Sequence, residues 1–206
     1  MENVYKFLEK AEINAKRPVG VDEVGRGSIA GPIVACALYI PKGVNISFVK
    51  DSKLLTPENR EKILERLLEK NIKFGIAFVF PEEIDSLGIQ EANYTVIKRA
   101  IKNLSIKPDL VLVDGFKVKN LKIRQLPIVK GDRKIDVIAG ASIIAKVTRD
   151  RWMEAISNMY PEYRFDINKG YYSDFHIEMI KKNGISPLHR KTFEPIKSLL
   201  KGGQIL

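Results

Sequence analysis

Residues 20–32 read GVDEVGRGSIAGP. An extended stretch from Pro18 to Glu23 runs into Gly25-Arg26-Gly27, where glycine on either side of one residue marks a turn. Pro32 to Ile40 is then a nearly continuous apolar run rich in Val and Ile, the pattern of a buried strand. Together they predict a hairpin with Asp22 and Glu23 at the end of its first strand, beside the glycine turn. Successive residues of a regular strand point to opposite faces, so the two acids can serve one site only if the strand distorts near Gly25.

Outward from the hairpin, Val4, Phe7, Leu8, Ala11 and Ile13 fall at helical spacing across residues 2–15, and Pro18 ends that segment. The segment around Asp51, Ser52 and Lys53 reads as a loop. Thr56 before Pro57 is a helix start with Thr as N-cap, and the helix runs to about Lys70. Residues 72–80 (IKFGIAFVF) are a third strand. A short helical piece follows Pro81, then a longer helix from near Ile89 to Asn103. DLVLVD (109–114) is another buried strand and PIVK (127–130) a short fifth one, stopped by Gly131. From about Ile135 a long helix carries Ile138, Ala141, Ile144, Ala145 and Thr148 on one face and ends before Pro161. Residues 173–183 and the tail after Pro195 are helical. Strands joined by tight turns, then strands alternating with helices, predict an α/β fold: a mixed five-stranded sheet flanked by helices, with a helical C-terminal extension.

The 206 residues, 45% hydrophobic and 29% charged, suit one globular domain. No apolar run reaches the roughly 20 residues that span a bilayer, and the first 20 residues lack the apolar stretch of a signal peptide. Cys36 is the only cysteine, which excludes a disulfide framework and a Cys-based zinc site and implies a reducing, cytoplasmic setting. Lys and Arg number 35 against 25 Asp and Glu, a net charge of +10. That excess favours nucleic acid as partner through counterion release. The chain is expected to be monomeric.

Most acids sit in Lys-interleaved helical stretches such as PENREKILERLLEK and read as solvated faces. Four do not. Asp22, Glu23 and Asp114 close apolar strands next to glycines, and Asp132 follows a short strand and Gly131. Any one alone reads as a turn cap. If their strands are neighbours, the carboxylates converge, and like charges that close disfavour joint ionisation unless a cation joins them. Mg²⁺ or Mn²⁺, hard ions that prefer oxygen, answer that need. A phosphate-loop reading of residues 20–32 fails, because no Lys-Ser/Thr ending is present and a β-rich segment follows the second glycine run. Gly-Arg-Gly still lets backbone amides and a guanidinium approach a sugar–phosphate closely. Lys53, Lys146, Arg149 and Arg151 read as phosphate contacts or as ordinary surface charge. Ser142 reads as a packing residue, His176 and His189 as structural or as minor substrate contacts.

GVDEVGRGSIAGP resembles the opening motif of the type 2 ribonucleases H (ribonuclease HII), close to G-x-D-E-x-G-R-G-x-x-x-G-P. The likeness continues in order through DSKLLTPENRE, LVDG, KGDRKIDVIAGASIIAKVTRDR, NKGY and HRKTFEP, over roughly residues 17–195. It implies a ribonuclease-H-like fold and a site of four carboxylates, Asp22, Glu23, Asp114 and Asp132, acting on RNA–DNA hybrids or on duplex DNA containing ribonucleotides. It also implies that Gly25, Arg26 and Gly27 sense the ribonucleotide 2′-hydroxyl at an RNA–DNA junction, while Tyr171 in NKGY packs on the sugar there. Residues 1–160 are then the catalytic domain, and residues 161–206 an extension carrying that tyrosine. Ser28 departs from the family, which often has proline after GRG; it is expected to loosen the loop. The mechanism so implied is hydrolysis with two Mn²⁺ or Mg²⁺ ions, bridged by Asp22, leaving 5′-phosphate and 3′-hydroxyl ends. An integrase-like strand transferase would need no reader of a 2′-hydroxyl, and a non-catalytic basic module would gain nothing from four acids in its groove.

Overall fold

The computed structural model describes residues 1–49 and 56–203. Among them, β1 (Pro18–Val24), β2 (Ile33–Tyr39) and β3 (Lys73–Val79) form an antiparallel meander. β4 (Leu110–Asp114) and β5 (Gln125–Ile128) lie parallel to β1 on its other side, giving the order β3-β2-β1-β4-β5. The expected mixed five-stranded sheet is thus what the chain forms.

Side-chain alternation divides the sheet into two faces. Cys36, Leu38, Leu110 and Leu112 point to one face and are covered by α1 (Val4–Lys10), α2 (Pro57–Leu68) and the long α6 (Asp136–Ser157). Val19, Val21, Ala35, Ala37, Val111 and Val113 point to the other, against α3 (Pro81–Leu87) and α4 (Ile89–Lys102). With both faces covered, the strands read as continuous apolar runs, and each buried Val, Ile or Leu contributes about 1.5–3 kcal/mol. The cap at Thr56 is present: its hydroxyl accepts the Asn59 N–H at 3.3 Å, with Pro57 in the first turn.

Three boundaries differ from expectation. The first helix stops at Lys10, because the chain turns at Ala11 and Glu12 takes a left-handed φ of 54°. The fifth strand ends at Ile128, not Lys130. Val129 is exposed and Lys130 is itself left-handed, turning the chain into a one-turn helix, α5 (Gly131–Lys134), that carries Asp132. After α6 the chain makes a 3₁₀ turn at Pro161–Tyr163 and a one-turn helix, α7 (Phe165–Asn168), that periodicity did not announce. α8 (Asp174–Asn183) and α9 (Ile196–Lys201) follow. These C-terminal pieces share a third apolar cluster, Tyr163, Phe165, Ile180, Ile196 and Leu199, with Met153 of α6 and with Ile29 and Ala30 just past the glycine turn. That shared cluster brings the C-terminal segment to the end of the sheet where β1 runs into the glycine turn.

Candidate active site

Asp114 closes β4, and Asp22 lies two residues before the end of the neighbouring β1; Val21 pairs with Val113, so the two acids stand one residue further along on the same face. Asp132 follows β5 at the same end, its backbone N–H 3.4 Å from the Asp114 carboxylate. All three therefore lie at the carboxyl ends of parallel strands, where open α/β sheets present their ligand sites.

β1 does not distort before Gly25. Asp22 pairs with Cys36, Glu23 with Ala35 and Val24 with Val34 in unbroken register, so the distortion set as the condition for a shared site is absent from the strand itself. Asp22 accordingly faces α6, where Ser142 favours its charged form, and Glu23 faces α4, where Asn93 Nδ2 donates at 3.2 Å. The two acids nevertheless line one cleft of about 240 Å³, with Arg60, Ser142, Lys146 and Tyr171, because both stand where the strand runs out. A larger, shallower cleft of about 1110 Å³ lies beside α1, but its acids are Glu9 and Glu2, the latter paired with Lys10, so the chemistry is not there.

Electrostatics single out the smaller cleft. Burial pushes the Asp22 carboxyl well above the usual range; the Glu23 and Asp114 charges add to this, and the Ser142 hydroxyl and Glu23 N–H oppose it. Burial also raises Glu23, with Asp114 adding, while Asn93 and the Arg26 charge pull it down. The acids are held apart by local donors. Asp114 Oδ1 takes the Gly131 N–H at 2.6 Å, and Asp22 Oδ1 takes the Glu23 N–H at 2.8 Å. Among the described residues no three metal-ligating side chains are already closed into a cage. A donor set of buried, mutually repelling carboxylate oxygens fits a hard divalent cation, which would remove the repulsion that raises these groups.

The glycine turn is built from inside. Gly25 takes φ +86°, and a Cβ there would lie 2.2 Å from Arg149 Nε. Gly27 is exposed, and a Cβ on it would meet nothing within 4 Å. Arg26 reaches out to Gln90 at 3.0 Å and lies over the Phe116 ring. Beneath the turn lie two wholly buried arginines. Arg190 donates to the carbonyls of Gly25, Arg26 and Gly31. Arg149 donates to the carbonyls of Ala30, Pro32 and Lys169 and to the Ser28 hydroxyl.

Several sequence expectations change here. Arg149 is neither a phosphate contact nor surface charge, and Ser28, buried and bonded to it at 2.9 Å, secures the loop where loosening was expected. Ser142 does more than pack, since it lines the cleft beside Asp22 and favours the charged form of that carboxylate. Arg151 is exposed and paired with Glu61 (Nε to Oε1 2.9 Å), while Lys146 pairs with Asp150 at 2.8 Å and stands over the Tyr171 ring. Tyr171 is half-buried on the cleft wall with the Arg149 guanidinium behind its ring, 5.3 Å from the centroid. Lys53 lies outside the described residues. Asn93, Arg190 and the bridging role of Arg149 were missed; only Asn93 and Arg149 left a signal, each a polar residue on the apolar face of a helix.

Residues 19–196 match the Ribonuclease HII family. The chain is 44% identical over 200 residues to ribonuclease HII of Caldicellulosiruptor bescii, covering 97% of this chain and 96% of that one. It is 46% identical over 181 residues to that of Thermotoga maritima, covering 88% and 74%. The crystal structure of ribonuclease H2 from Pyrococcus horikoshii superposes with a TM-score of 0.77 at 32% identity, over 90% of this chain and 98% of that one. Bst-RNase HIII, solved in complex with Mn²⁺, shares the fold at 20% identity with a TM-score of 0.72, over 94% and 72%. With the family matched across most of its length and its carboxylates gathered at one end of the sheet, the chain belongs to the ribonuclease HII family of nucleases.

Proposed function

We propose that this protein hydrolyses the RNA strand of RNA–DNA hybrids and cuts 5′ to single ribonucleotides embedded in duplex DNA, leaving 5′-phosphate and 3′-hydroxyl ends. The observation that carries the reading is the union, in one cleft, of buried carboxylates with a half-buried tyrosine whose segment is joined to the glycine turn. The Gly170 carbonyl accepts the N–H groups of Ile29 at 2.9 Å and Ala30 at 3.0 Å.

In this reading Asp22, Glu23, Asp114 and Asp132 hold two Mn²⁺ or Mg²⁺ ions. When bound, such ions supply a water nucleophile at neutral pH and stabilise charge on the leaving 3′-oxygen. The protein's own groups do the rest. Ser142 and Asn93 orient the Asp22 and Glu23 carboxylates toward the cleft and favour their charged forms. Arg26 and Lys146, at the rim, meet phosphates. The exposed backbone at Gly27 meets the ribose 2′-hydroxyl, the mark that separates RNA from DNA, and the Tyr171 ring rests on the sugar. The 2′-hydroxyl is read, not used as nucleophile. Residues 161–206 act as the extension that brings Tyr171 to substrate.

A substrate panel tests this. With Mn²⁺ or Mg²⁺ the protein should cut an RNA–DNA hybrid and a DNA duplex carrying one ribonucleotide, and leave all-DNA duplex intact; a chelator should stop both reactions. Cleavage of all-DNA duplex at a comparable rate would overturn the proposal.

A further inference from the structure

Arg149 has an environment that packing alone does not explain. It is wholly buried, and burial works against its charge. Its guanidinium donates to neutral acceptors, three carbonyls and a hydroxyl. An apolar side chain of similar volume would avoid the desolvation of a buried cation, so stability is a poor reason for an arginine here. The acceptors come from two segments distant in sequence. Ser28, Ala30 and Pro32 belong to the glycine turn, and Lys169 immediately precedes Gly170 and Tyr171. The same guanidinium lies behind the Tyr171 ring. The planar fork holds its donors in fixed directions, which a lysine ammonium cannot reproduce. Close approach of the two segments is also written into Gly170, where φ is +76° and a Cβ would lie 2.3 Å from the Ala30 carbonyl oxygen.

We propose that Arg149 is a positioning residue that fixes the Gly25–Gly27 turn and Tyr171 in one register, so that the two halves of the ribonucleotide reader act as a single rigid unit. The inference rests on the substrate reading above for its consequence in catalysis, though the rigid coupling itself stands on geometry alone. Arg190 serves differently: its guanidinium hydrogen-bonds to the carbonyls of Gly25, Arg26 and Gly31, shaping the turn, and among the described residues donates to no carbonyl of the tyrosine segment. A single embedded ribonucleotide offers one 2′-hydroxyl at one junction, so any slip between turn and tyrosine is felt in full. A continuous hybrid offers a 2′-hydroxyl at every step and tolerates the slip better.

The test uses Arg149→Lys and Ser28→Ala, the second removing one acceptor in case the first does not fold. Amide hydrogen exchange at Ile29 and Ala30 reads docking of the two segments without substrate. Exchange there should accelerate about three- to tenfold in Ser28→Ala and by more in Arg149→Lys, the scale of one and of several hydrogen bonds. The ratio of single-ribonucleotide to continuous-hybrid cleavage should fall by similar factors, through kcat more than KM, with Mn²⁺ binding unchanged. Unchanged exchange at both amides in Ser28→Ala, or equal loss on both substrates in a folded variant, would overturn the proposal. If the wild type cuts neither substrate, the proposed function fails, and the exchange rates still decide whether Arg149 couples the segments.

Discussion

At the scale of single residues, charge and space make opposite demands on neighbours only a few positions apart. Asp22 is buried beside Glu23 and Asp114, so removing its charge relieves repulsion in the metal-free protein. Asp22→Asn should abolish cleavage, by more than about a thousandfold, and keep or raise the melting temperature without metal, by about 2–4 °C for each kcal/mol gained. Activity within tenfold of wild type at saturating metal would remove Asp22 from the site. The two glycines of the turn should separate stability from function. Gly25→Ala places a side chain in left-handed backbone against Arg149, costing at least about 1–2 kcal/mol of stability. Gly27→Ala projects into open space, so it should leave unfolding unchanged and reduce cleavage, since the methyl meets only substrate; an equal drop in melting temperature for both would contradict this. Tyr171→Phe should cost little and Tyr171→Ala about 2–3 kcal/mol, roughly 30–150-fold in rate, if the ring works by covering a sugar. The candidate acids stood out in sequence because Asp22, Glu23 and Asp114 end apolar runs near glycines and Asp132 follows a short strand and Gly131. Asn93 was not singled out, although it breaks the apolar stripe of α4 between Ala92 and Val96.

Elements decide how such residues are held. α6 carries Ala141, Ala145, Arg149 and Met153 at four-residue spacing, so the arginine sits in the middle of an apolar stripe. That displacement from pattern was visible, but its acceptors, carbonyls from two loops, leave no trace in side-chain periodicity. The same limit applies to the segment after Tyr171. His176 Nδ1 lies 2.9 Å from the Tyr171 carbonyl, His176 Nε2 lies 3.0 Å from His189 Nε2, and His189 Nδ1 receives the Ser186 N–H at 2.9 Å. A carbonyl only accepts and an amide only donates, so His176 carries its proton on Nδ1 and His189 on Nε2, both neutral. A proton added to either ring would set donor against donor. Burial lowers both imidazoles below their ordinary value of 6.5, with His189 driven to about 3 by burial and by His176. In the unfolded chain both would protonate near 6.5, so their neutral pairing favours the fold fully above that pH. The advantage is lost as pH falls below 6.5, for His189 down to about 3, at up to about 1.4 kcal/mol per unit for each ring. These are the only two histidines, so their NMR signals are unambiguous. His189 should not titrate between pH 8 and 5 in the folded protein, and His176 should titrate below its ordinary value; a His189 midpoint near 6.5 would show that the pair is open to water.

At the scale of the whole molecule, the sheet was legible because its strands are buried on both faces and so appear as unbroken apolar runs. Boundaries slipped where single left-handed residues, Glu12 and Lys130, redirect the chain. The 3₁₀ turn at Pro161–Tyr163 and the one-turn α7 escaped because Tyr163 and Phe165 are held by tertiary packing with Met153, Ile29 and Ala30 more than by a helical period of their own, whereas α8 and α9 were legible. The net charge of +10 also acts at this scale. With about 4–6 phosphates neutralised, log K should fall against log salt with a slope of about −4 to −5, and a flat response between 50 and 200 mM would mean the charge is not used in binding. The central claim is that buried carboxylates and bound metal hydrolyse the strand while the 2′-hydroxyl is only recognised. Its most direct test is the chemistry of the ends produced from a DNA duplex carrying one ribonucleotide. A 3′-hydroxyl upstream and a 5′-phosphate on the ribonucleotide, formed only with Mn²⁺ or Mg²⁺ and lost in Asp22→Asn, is the predicted result; a 2′,3′-cyclic phosphate formed without metal would contradict it.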